Sequence, residues 1–580
     1  MSSTVKALVF ALGVQALVLI ATLYFFLELW SSDLTVPFNN WGDTTWFTVV
    51  VKGLVQNGWV YDIPQLSAPF ELRSAAFPIM THTDWAVMKV LSLFNPEPGA
   101  VINLFWLCSI VFAGWMGAAA MALIGVELWL ACIMGLLYAL LPFAFFRNVA
   151  HINLVYYCVP GICIFALWIA NGCEEARSRP IKIMGYFSIL CQAFNYIYYN
   201  YFALLLFAAA GWRGAINMRS SHPIKAALMA MFITLSCASV NLTPSFVSWY
   251  QYGMPPDMGY KRAAEAETYG LKFRTMLTPS EGNSLPVLSD WAQRNRSAAF
   301  PNENENVTAR LGPMAALGLT FLTLVSLGLM RTGSSDSRNV ALIQNLAFLS
   351  LFVFLVATVG GLGSLLNLLV IPDFRAYNRF SVFIAFFALS AIALWWQTIY
   401  RQMKSGLTKN ILILGLFLFS ALSLYDQMGD AVYLKHMRPA HERQMEHLRA
   451  VVGAIEAEVE LGDRIFQFPI TQFPLDGGME NMLTYEHGQA YLASSKLSWS
   501  WPSFSQESKA WLDSIRPLKG RELIDALDLA GFRLIWIDGL GYRDGGAKLR
   551  EELRASGAEE IFSEISERYS IFEIGHAQSQ

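Results

Sequence analysis

Charged side chains are scarce in this sequence. Only 15% of its 580 residues are Asp, Glu, Lys or Arg, whereas a soluble protein usually carries about 25%. Hydrophobic residues make up 55% of the chain, aromatic residues make up 14%, and the formal net charge is -3. This balance predicts an integral membrane protein with a polar part attached, and nothing in the charge indicates a nucleic-acid partner.

The cysteines give no sign of a disulfide or metal-binding framework. The seven cysteines lie in or beside apolar segments, none follows Cys237, and no two are spaced as CxxC. Neither a disulfide scaffold nor a cysteine-built metal site is expected. The region after residue 426 also lacks the GxGxxG, Walker, HExxH and GxSxG motifs, so no familiar soluble active site explains it.

Apolar segments of spanning length fill the first 425 residues. The first, Ala7–Phe26, is too long for a cleavable signal peptide and predicts a spanning helix. The pattern predicts about eleven spans, at 7–29, 99–121, 128–146, 154–171, 181–196, 198–212, 225–241, 312–330, 339–359, 380–398 and 410–425. The polar run 195–200 interrupts the fifth and sixth.

The distribution of basic residues predicts the orientation. Short loops at 174–182, 213–225, 331–338 and 401–409 contain arginine, which places them and the N-terminus in the cytoplasm by the positive-inside rule. The long loops 31–98 and 242–311, the segment 360–379 and everything after residue 426 then lie outside. Within loop 31–98, segments 46–56 and 85–94 are apolar enough to lie along the membrane surface. Loops of this length are usually functional.

The composition changes after residue 426. Predicted strands at 464–470, 532–538 and 569–574 alternate with helices at 522–530 and 547–556. Alternation of this kind predicts a small α/β domain of about 150 residues. The predicted fold class is therefore a polytopic α-helical membrane domain, 1–425, which includes both long outer loops, followed by a periplasmic α/β domain, 426–580.

A carboxylate stands at the start of the first outer loop. Asp43 lies between Trp41 and Trp46, and tryptophans favour the membrane–water interface. Asp43 could act there as a base, or it could cap a helix that starts at Thr44. Asp84 is a second acid before a helical segment, so it is the alternative catalytic candidate. Glu71 is a third carboxylate in the same loop and a further candidate.

Two arginines stand at the mouth of a predicted span. Arg375 and Arg379 flank Tyr377 and, four residues apart, would share one face of a helix. Arginine matches phosphate well, although arginines near a span also reach for lipid headgroups. Lys272 and Arg274, in loop 242–311, are supporting donor-binding candidates.

A tight outer turn carries two more candidates. Arg147 and His151 lie there, four residues apart, between two predicted spans. A histidine at a helix end is either a functional group or an interfacial capping residue, and both interpretations remain open for His151. After the first strand of the C-terminal domain, the aromatic and proline residues at 467–475 would suit a binding lip.

The pattern resembles the GT-C class of integral-membrane glycosyltransferases, which use polyprenyl-phosphate-linked sugars. It is also similar to bacterial membrane proteins described as glycosyltransferases or sugar translocases. The resemblance covers most of the chain and rests on the stretches 68–70, 147–154, 269–277, 375–384 and 468–474. It implies that the catalytic loop acid falls on Asp43, or else on Asp84. The paired acidic motif usual in the family is missing, because Thr44 follows Asp43.

The resemblance implies an inverting glycosyltransferase in the bacterial inner membrane, active in cell-envelope polysaccharide synthesis. The donor would be a polyprenyl-phosphate-linked sugar, the acceptor a glycan or lipid, and membrane lipids would surround the protein. No cofactor is specified, although a divalent metal is possible. A lipid-linked sugar flippase and a non-enzymatic envelope-assembly scaffold are the alternatives. A flippase would need paired polar groups at mid-membrane depth and two related halves, which the sequence does not show.

Overall fold

A computed structural model shows a largely helical chain with a mixed sheet near its C-terminus. It describes residues 3–173, 178–259, 261–283, 285–297, 304–332, 336–471, 473–474, 478–563 and 568–574. The helices of the first 427 residues are α1 (Ser3–Phe26), α2 (Asp43–Gln56), α3 (His82–Ser92), α4 (Pro98–Ile124), α5 (Leu128–Ala139), α6 (Pro142–Arg147), α7 (Val159–Ala170), α8 (Ser178–Ala193), α9 (Ile197–Met218), α10 (His222–Asn241), α11 (Thr243–Tyr252), α12 (Glu265–Thr268), α13 (Phe273–Leu277), α14 (Pro286–Ser297), α15 (Pro313–Ser326), α16 (Ser337–Ala357), α17 (Leu362–Leu369), α18 (Ser381–Gln402) and α19 (Gly406–Gln427).

Within these ranges, eight helical stretches are long and apolar enough to cross a membrane. They include α1, α4, α5 with α6, α7, α10, α16, α18 and α19. The other three predicted spans are also helical, as α8, α9 and α15, but each is too short or not apolar enough to be counted with these eight. Helices α8 and α15 have only 16 and 14 residues. Helix α9 has 22, but its tyrosines, Asn200 and Arg213 lower its hydropathy. The predicted interruption near residue 195 is confirmed, since α8 ends at Ala193 and α9 begins at Ile197.

Loop 31–98, called the first outer loop after its predicted side of the membrane, is ordered by packing. Helix α2 spans Asp43–Gln56, and ten of its 14 residues are buried. It packs against α4 and against the C-terminal region, and its place along the membrane surface stays a prediction. Its apolar side chains meet other protein elements, which the local pattern could not show. Helix α3, by contrast, does expose Val87 and Val90.

The C-terminal region contains the predicted mixture of strands and helices. Its helices are α20 (Ala431–Glu456), α21 (His487–Ala493), α22 (Gln506–Ile515), α23 (Gly520–Leu529) and α24 (Ala547–Ala555). After the short hairpin β1 (Asp62–Ile63) and β2 (Leu72–Arg73) of the outer loop, its strands are β3 (Arg464–Phe468), β4 (Ser498–Trp499), β5 (Phe532–Asp538), β6 (Glu559–Ser563) and β7 (Tyr569–Glu573). The sheet order is β4-β3-β5-β7-β6, with β3 parallel to β4 and β5, and β7 antiparallel to β5 and β6.

The outer loop and the C-terminal sheet are joined by hydrogen bonds. The Trp499 N–H donates to the Gln65 carbonyl at 2.9 Å, and the Ala68 N–H donates to the Trp499 carbonyl at 3.0 Å. One apolar core also continues from the membrane helices into the sheet, where it includes Ile465 and Trp536. The first outer loop therefore lies between the membrane helices and the C-terminal sheet, and this is where the candidate site lies.

Candidate active site

A cavity of about 510 Å³ lies between the membrane helices, the outer loops and the C-terminal region. Its charged wall brings together residues far apart in sequence. The lining residues are Asp43, Trp46, Phe47, Phe77, Ile79, His151, Asn153, Tyr196, Met258, Gly259, Lys261, Tyr269, Glu305, Arg375, Arg379, Pro474 and Tyr485. Asp43, Arg375 and Arg379, singled out from the sequence, thus face one space.

Asp43 is the first residue of α2. The N-cap position is held by Gly42, whose φ of 59° suits glycine, and no side-chain cap bond forms. Asp43 is therefore not the N-cap, although a carboxylate in the first turn is still favoured by the helix dipole. Its side chain is 48% exposed. Withdrawal from bulk water into the cavity raises the pKa of Asp43, and Arg379 opposes the rise.

His151 separates Asp43 from Arg147. Its Nε2 lies 3.6 Å from the Asp43 Oδ2 and 3.5 Å from the Arg147 Nη1. Arg147 itself is only 4% exposed and does not line the cavity. Its guanidinium donates to Glu305 Oε2 at 2.5 Å and to Asn378 Oδ1 at 3.0 Å. Asp43 therefore has no direct ion pair with this guanidinium, which is held by Glu305 instead.

Glu305 holds the guanidinium of Arg379 as well. The Arg379 Nη2 lies 4.0 Å from Glu305 Oε1, and its guanidinium lies over the Tyr198 ring, 4.4 Å from the centroid. Burial alone would raise the pKa of Glu305, but Arg147 and then Arg379 outweigh it and lower the pKa. Glu305 is therefore a fixed anion that orients two arginines.

Arg375 is held from the other side. It forms an ion pair with Glu265 and lies over the Tyr269 ring, 4.9 Å from the centroid. The prediction that Arg375 and Arg379 share a helix face is wrong, because Arg375 precedes the 3-10 turn Tyr377–Phe380 and α18 begins only at Ser381. The turn nevertheless delivers both side chains to the cavity.

The sequence analysis did not single out Lys261 or Glu305. Both belong to the long loop 242–311, whose charges of both signs gave no indication of which ones face a cavity. Burial lowers the pKa of Lys261, and the nearby Arg375 lowers it further. The predicted binding lip contributes Pro474 to the wall; Gln472 and residue 475 of that segment lie outside the described residues.

Asp84, the alternative acid, lies elsewhere. It is 1% exposed, accepts a hydrogen bond from the Tyr157 hydroxyl at 2.6 Å and another from the Asn195 amide at 3.0 Å. Burial raises the pKa of Asp84 to about 7. Because it does not line the cavity, its surroundings are those of a buried structural carboxyl group.

Four other candidates also lie outside the cavity lining. The Tyr377 hydroxyl is buried and donates to Asn367 Oδ1 at 2.8 Å. Arg274 donates to Asn295 Oδ1 at 2.5 Å, and Lys272 precedes α13 as its N-cap residue. Glu71 lies 3.3 Å from Arg73 in a separate part of the outer loop. The sequence could not show in which direction these side chains point.

The cavity does not fit a divalent metal. In the described part of the chain, no group of three or more His, Cys, Asp or Glu side chains could hold an ion. Of the two carboxylates that line the cavity, Glu305 is already neutralised by Arg147 and Arg379. A hard cation needs several oxygen ligands, which Asp43 alone does not supply.

The fold is similar to that of a solved structure. ArnT from Cupriavidus metallidurans, in its apo state, superposes with a TM-score of 0.52 over 99% of both chains, at 11% sequence identity. The chain has a GT-C glycosyltransferase fold. No protein-family model matches the sequence, and no curated protein sequence matches it.

Two further solved structures are less similar. ArnT from the same organism bound to undecaprenyl phosphate gives a TM-score of 0.48 at 10% identity and again covers 99% of each chain. The Archaeoglobus fulgidus oligosaccharyltransferase tethered to an acceptor peptide gives 0.48 at 10% identity, covering 98% of this chain and 74% of that one. At these TM-scores the fold assignment rests on the apo ArnT structure alone.

Proposed function

We propose that the protein is a membrane glycosyltransferase. It moves a sugar from a polyprenyl-phosphate donor to a glycan or lipid acceptor on the periplasmic face, within cell-envelope polysaccharide synthesis. The observation that carries the proposal is the meeting of one partly exposed carboxylate, Asp43, with the guanidinium groups of Arg375 and Arg379 in one cavity. The GT-C fold supports it.

The cationic wall suits the phosphate of the donor. Lys261, Arg375 and Arg379 outnumber the two carboxylates of the lining, so the cavity is net positive. When the anomeric C–O bond breaks, negative charge grows on the leaving phosphate oxygens, and cations fixed in advance stabilise it most in the transition state. Glu305 and the Tyr198 ring fix Arg379 in this way.

Asp43 is suited to accept the proton of the acceptor hydroxyl. Its raised pKa makes it a stronger base than an ordinary aspartate, while its exposed fraction leaves it accessible from the cavity. The hydroxyl oxygen attacks the anomeric carbon from the side opposite the phosphate, so the anomeric configuration inverts. His151 keeps Arg147 from pairing directly with Asp43, which preserves the carboxylate as a base.

The opposite wall is aromatic. Trp46 of α2 has its ring 4.5 Å from that of Phe473, and Phe77 and Tyr485 complete a cluster at the same end of the cavity. Aromatic faces bind the apolar faces of sugar rings and exclude water. The C-terminal region thus supplies part of the surface on which we place the sugar or its acceptor.

A single incubation separates this function from its alternatives. Purified full-length protein in vesicles is given a polyprenyl-phosphate sugar on the outer side together with candidate acceptors. The proposal predicts a glycosylated acceptor and free polyprenyl phosphate. Movement of intact donor across the bilayer without cleavage would indicate a flippase, and neither product nor movement would indicate a scaffold. Either of these results would overturn the proposal.

Removing one guanidinium tests the cationic wall. We expect Arg379→Gln to lower the transfer rate by about 10²- to 10³-fold, the usual effect of losing one group that stabilises transition-state charge. Arg274→Gln is the matched control, because Arg274 belongs to the neighbouring loop and does not line the cavity. Equal rates for the two variants, at equal thermal stability, would remove Arg379 from the mechanism.

A further inference from the structure

A second cavity, of about 640 Å³, lies behind the wall of the first. Ala75 and His82 line it, whereas Phe77 and Ile79, from the same segment, line the active-site cavity. Residues 75–82 therefore form a partition between two separate spaces. The Trp249 indole N–H donates to the Ala76 carbonyl at 2.7 Å and ties this partition to α11.

The second cavity lies at the end of a membrane span. Helix α10 ends at Asn241, and α11 follows at Thr243. The far wall is built from Val240, Pro244 and Val247 of these two helices. Next to it, α11 exposes Phe246 and Tyr250, the latter 92% exposed. Apolar side chains presented in this way at the end of a span indicate contact with the lipid surface.

Polar groups are concentrated on one part of the cavity. Asp62 and Arg73 stand opposite each other in the register of the β1–β2 hairpin, and both line the cavity. The Arg73 guanidinium lies 3.7 Å from the centroid of the Tyr252 ring, and its Nε has no hydrogen-bond partner in the described part of the chain. Glu71 lies 3.3 Å from Arg73 but is not part of the cavity lining.

Two other polar side chains of the lining are not available to a ligand. Ser248 lines the cavity, but it is only 6% exposed and its Oγ is enclosed by protein. His82 is already engaged by Tyr61 at 2.8 Å and Asn241 at 2.5 Å.

We propose that this second cavity binds one zwitterionic aminophospholipid from the outer leaflet. Arg73 would bind the phosphate oxygens, Asp62 would bind the ammonium, and an acyl chain would lie along Val240, Pro244 and Val247. A cation beside a carboxylate complements a headgroup that carries both charges better than it complements an anionic one. The size and the largely apolar wall are those of a ligand pocket. This proposal does not depend on the transferase activity.

The test measures phospholipid retention by native mass spectrometry. Delipidated full-length protein is given palmitoyl-oleoyl phosphatidylethanolamine, phosphatidylglycerol or phosphatidylcholine at equal concentration. The wild-type protein is expected to retain one phosphatidylethanolamine with about tenfold preference over phosphatidylglycerol, the effect of one charge-assisted hydrogen bond. Equal retention of all three lipids would overturn the proposal, because it would indicate unspecific lipid contact.

Two variants locate the site. Val247→Trp fills the cavity from a position that is 46% exposed and tolerates a larger side chain, so the retained lipid should be lost. Phe246→Trp, at the preceding residue of α11, changes a side chain that does not line the cavity, so the lipid should be retained. Asp62→Asn should reduce the preference for phosphatidylethanolamine about tenfold. Equal retention by the two tryptophan variants would contradict the assignment.

Free phosphoethanolamine and an active-site variant complete the experiment. The headgroup alone should not displace the lipid, because the acyl chain supplies apolar burial. Asp43→Asn should retain phosphatidylethanolamine as the wild type does, since Asp43 lines the other cavity. Displacement by phosphoethanolamine would show that the apolar wall is not used, and loss in Asp43→Asn would place the lipid in the active-site cavity; both results contradict the proposal.

Discussion

At the scale of single residues, the site depends on how each charge is held. Arg379 is fixed by Glu305 and the Tyr198 ring, and Arg375 by Glu265 and the Tyr269 ring. Asp43 is the exception, because its neighbour at 3.6 Å is the imidazole of His151 rather than a guanidinium. The cations are thus preorganised, while the carboxylate remains free to exchange a proton.

The raised pKa of Asp43 makes a prediction about pH. A general base works only when deprotonated, so the transfer rate should fall as the pH drops through the pKa of Asp43. Since that pKa is raised, the midpoint of the fall should lie above about 3.9, the ordinary value for aspartate. A rate profile with its midpoint at or below that value would contradict this prediction. So would an Asp43→Asn variant whose residual activity falls at low pH with the same midpoint as the wild type.

Sequence reasoning found the arginines and Asp43 because polar groups at the ends of apolar spans are conspicuous. It could not find Lys261 or Glu305, since a long loop with charges of both signs does not reveal which side chains turn inward. Asp84 shows the opposite error. It lies in the first turn of α3, not before the helix as predicted, and so resembles Asp43 of α2, but it is buried and hydrogen-bonded to Tyr157 and Asn195. The direction in which a side chain points depends on the tertiary structure, and the spacing of residues along the sequence does not encode it.

At the scale of elements, α2 is the part that most changes the interpretation. The sequence predicted a helix there and the helix is present, but its packing against the C-terminal region was not predicted, because burial by a distant region leaves no local mark. Its Lys52 is 3% exposed and its Nζ donates to the carbonyls of Tyr491 and Ser494, both at 2.5 Å, at the end of α21. This contact fixes the helix that carries Asp43 to the C-terminal region.

Burial lowers the pKa of Lys52 to about 7, and this gives a stability prediction. The unfolded chain keeps Lys52 protonated up to about pH 10.4, so between pH 7 and that value the unfolded state binds more protons. The free energy of unfolding should therefore rise with pH, by at most about 1.4 kcal/mol per pH unit from this group.

The variant Lys52→Met isolates that contribution. The difference in unfolding free energy between wild type and Lys52→Met, measured by denaturant titration at pH 7 and pH 9, should increase with pH. Lys548→Met removes an exposed lysine of α24 and should show no such trend. A difference between wild type and Lys52→Met that is the same at both pH values would show that Lys52 titrates as an ordinary lysine.

At the scale of the whole molecule, the cavity is a convergence of distant parts. The membrane helices supply Arg379, the outer loops supply Asp43 and Lys261, and the C-terminal region supplies Tyr485. The sequence predicted the membrane region, the mixed α/β region and their order, because hydropathy and strand–helix alternation are read locally. It did not predict that the sheet bonds to residues 65 and 68 of the first loop, since such pairing depends on the complete fold.

The central claim is that Asp43 accepts the proton of the acceptor hydroxyl at this convergence. The most direct measurement is the transfer rate from a polyprenyl-phosphate sugar by wild type, Asp43→Asn and Asp84→Asn in the same vesicles. We expect Asp43→Asn to lose about 10²- to 10⁴-fold, the usual contribution of a positioned base. Asp84→Asn should transfer at close to the wild-type rate, because its amide oxygen can still accept from Tyr157 and Asn195. A folded Asp43→Asn protein with the wild-type rate would contradict the account.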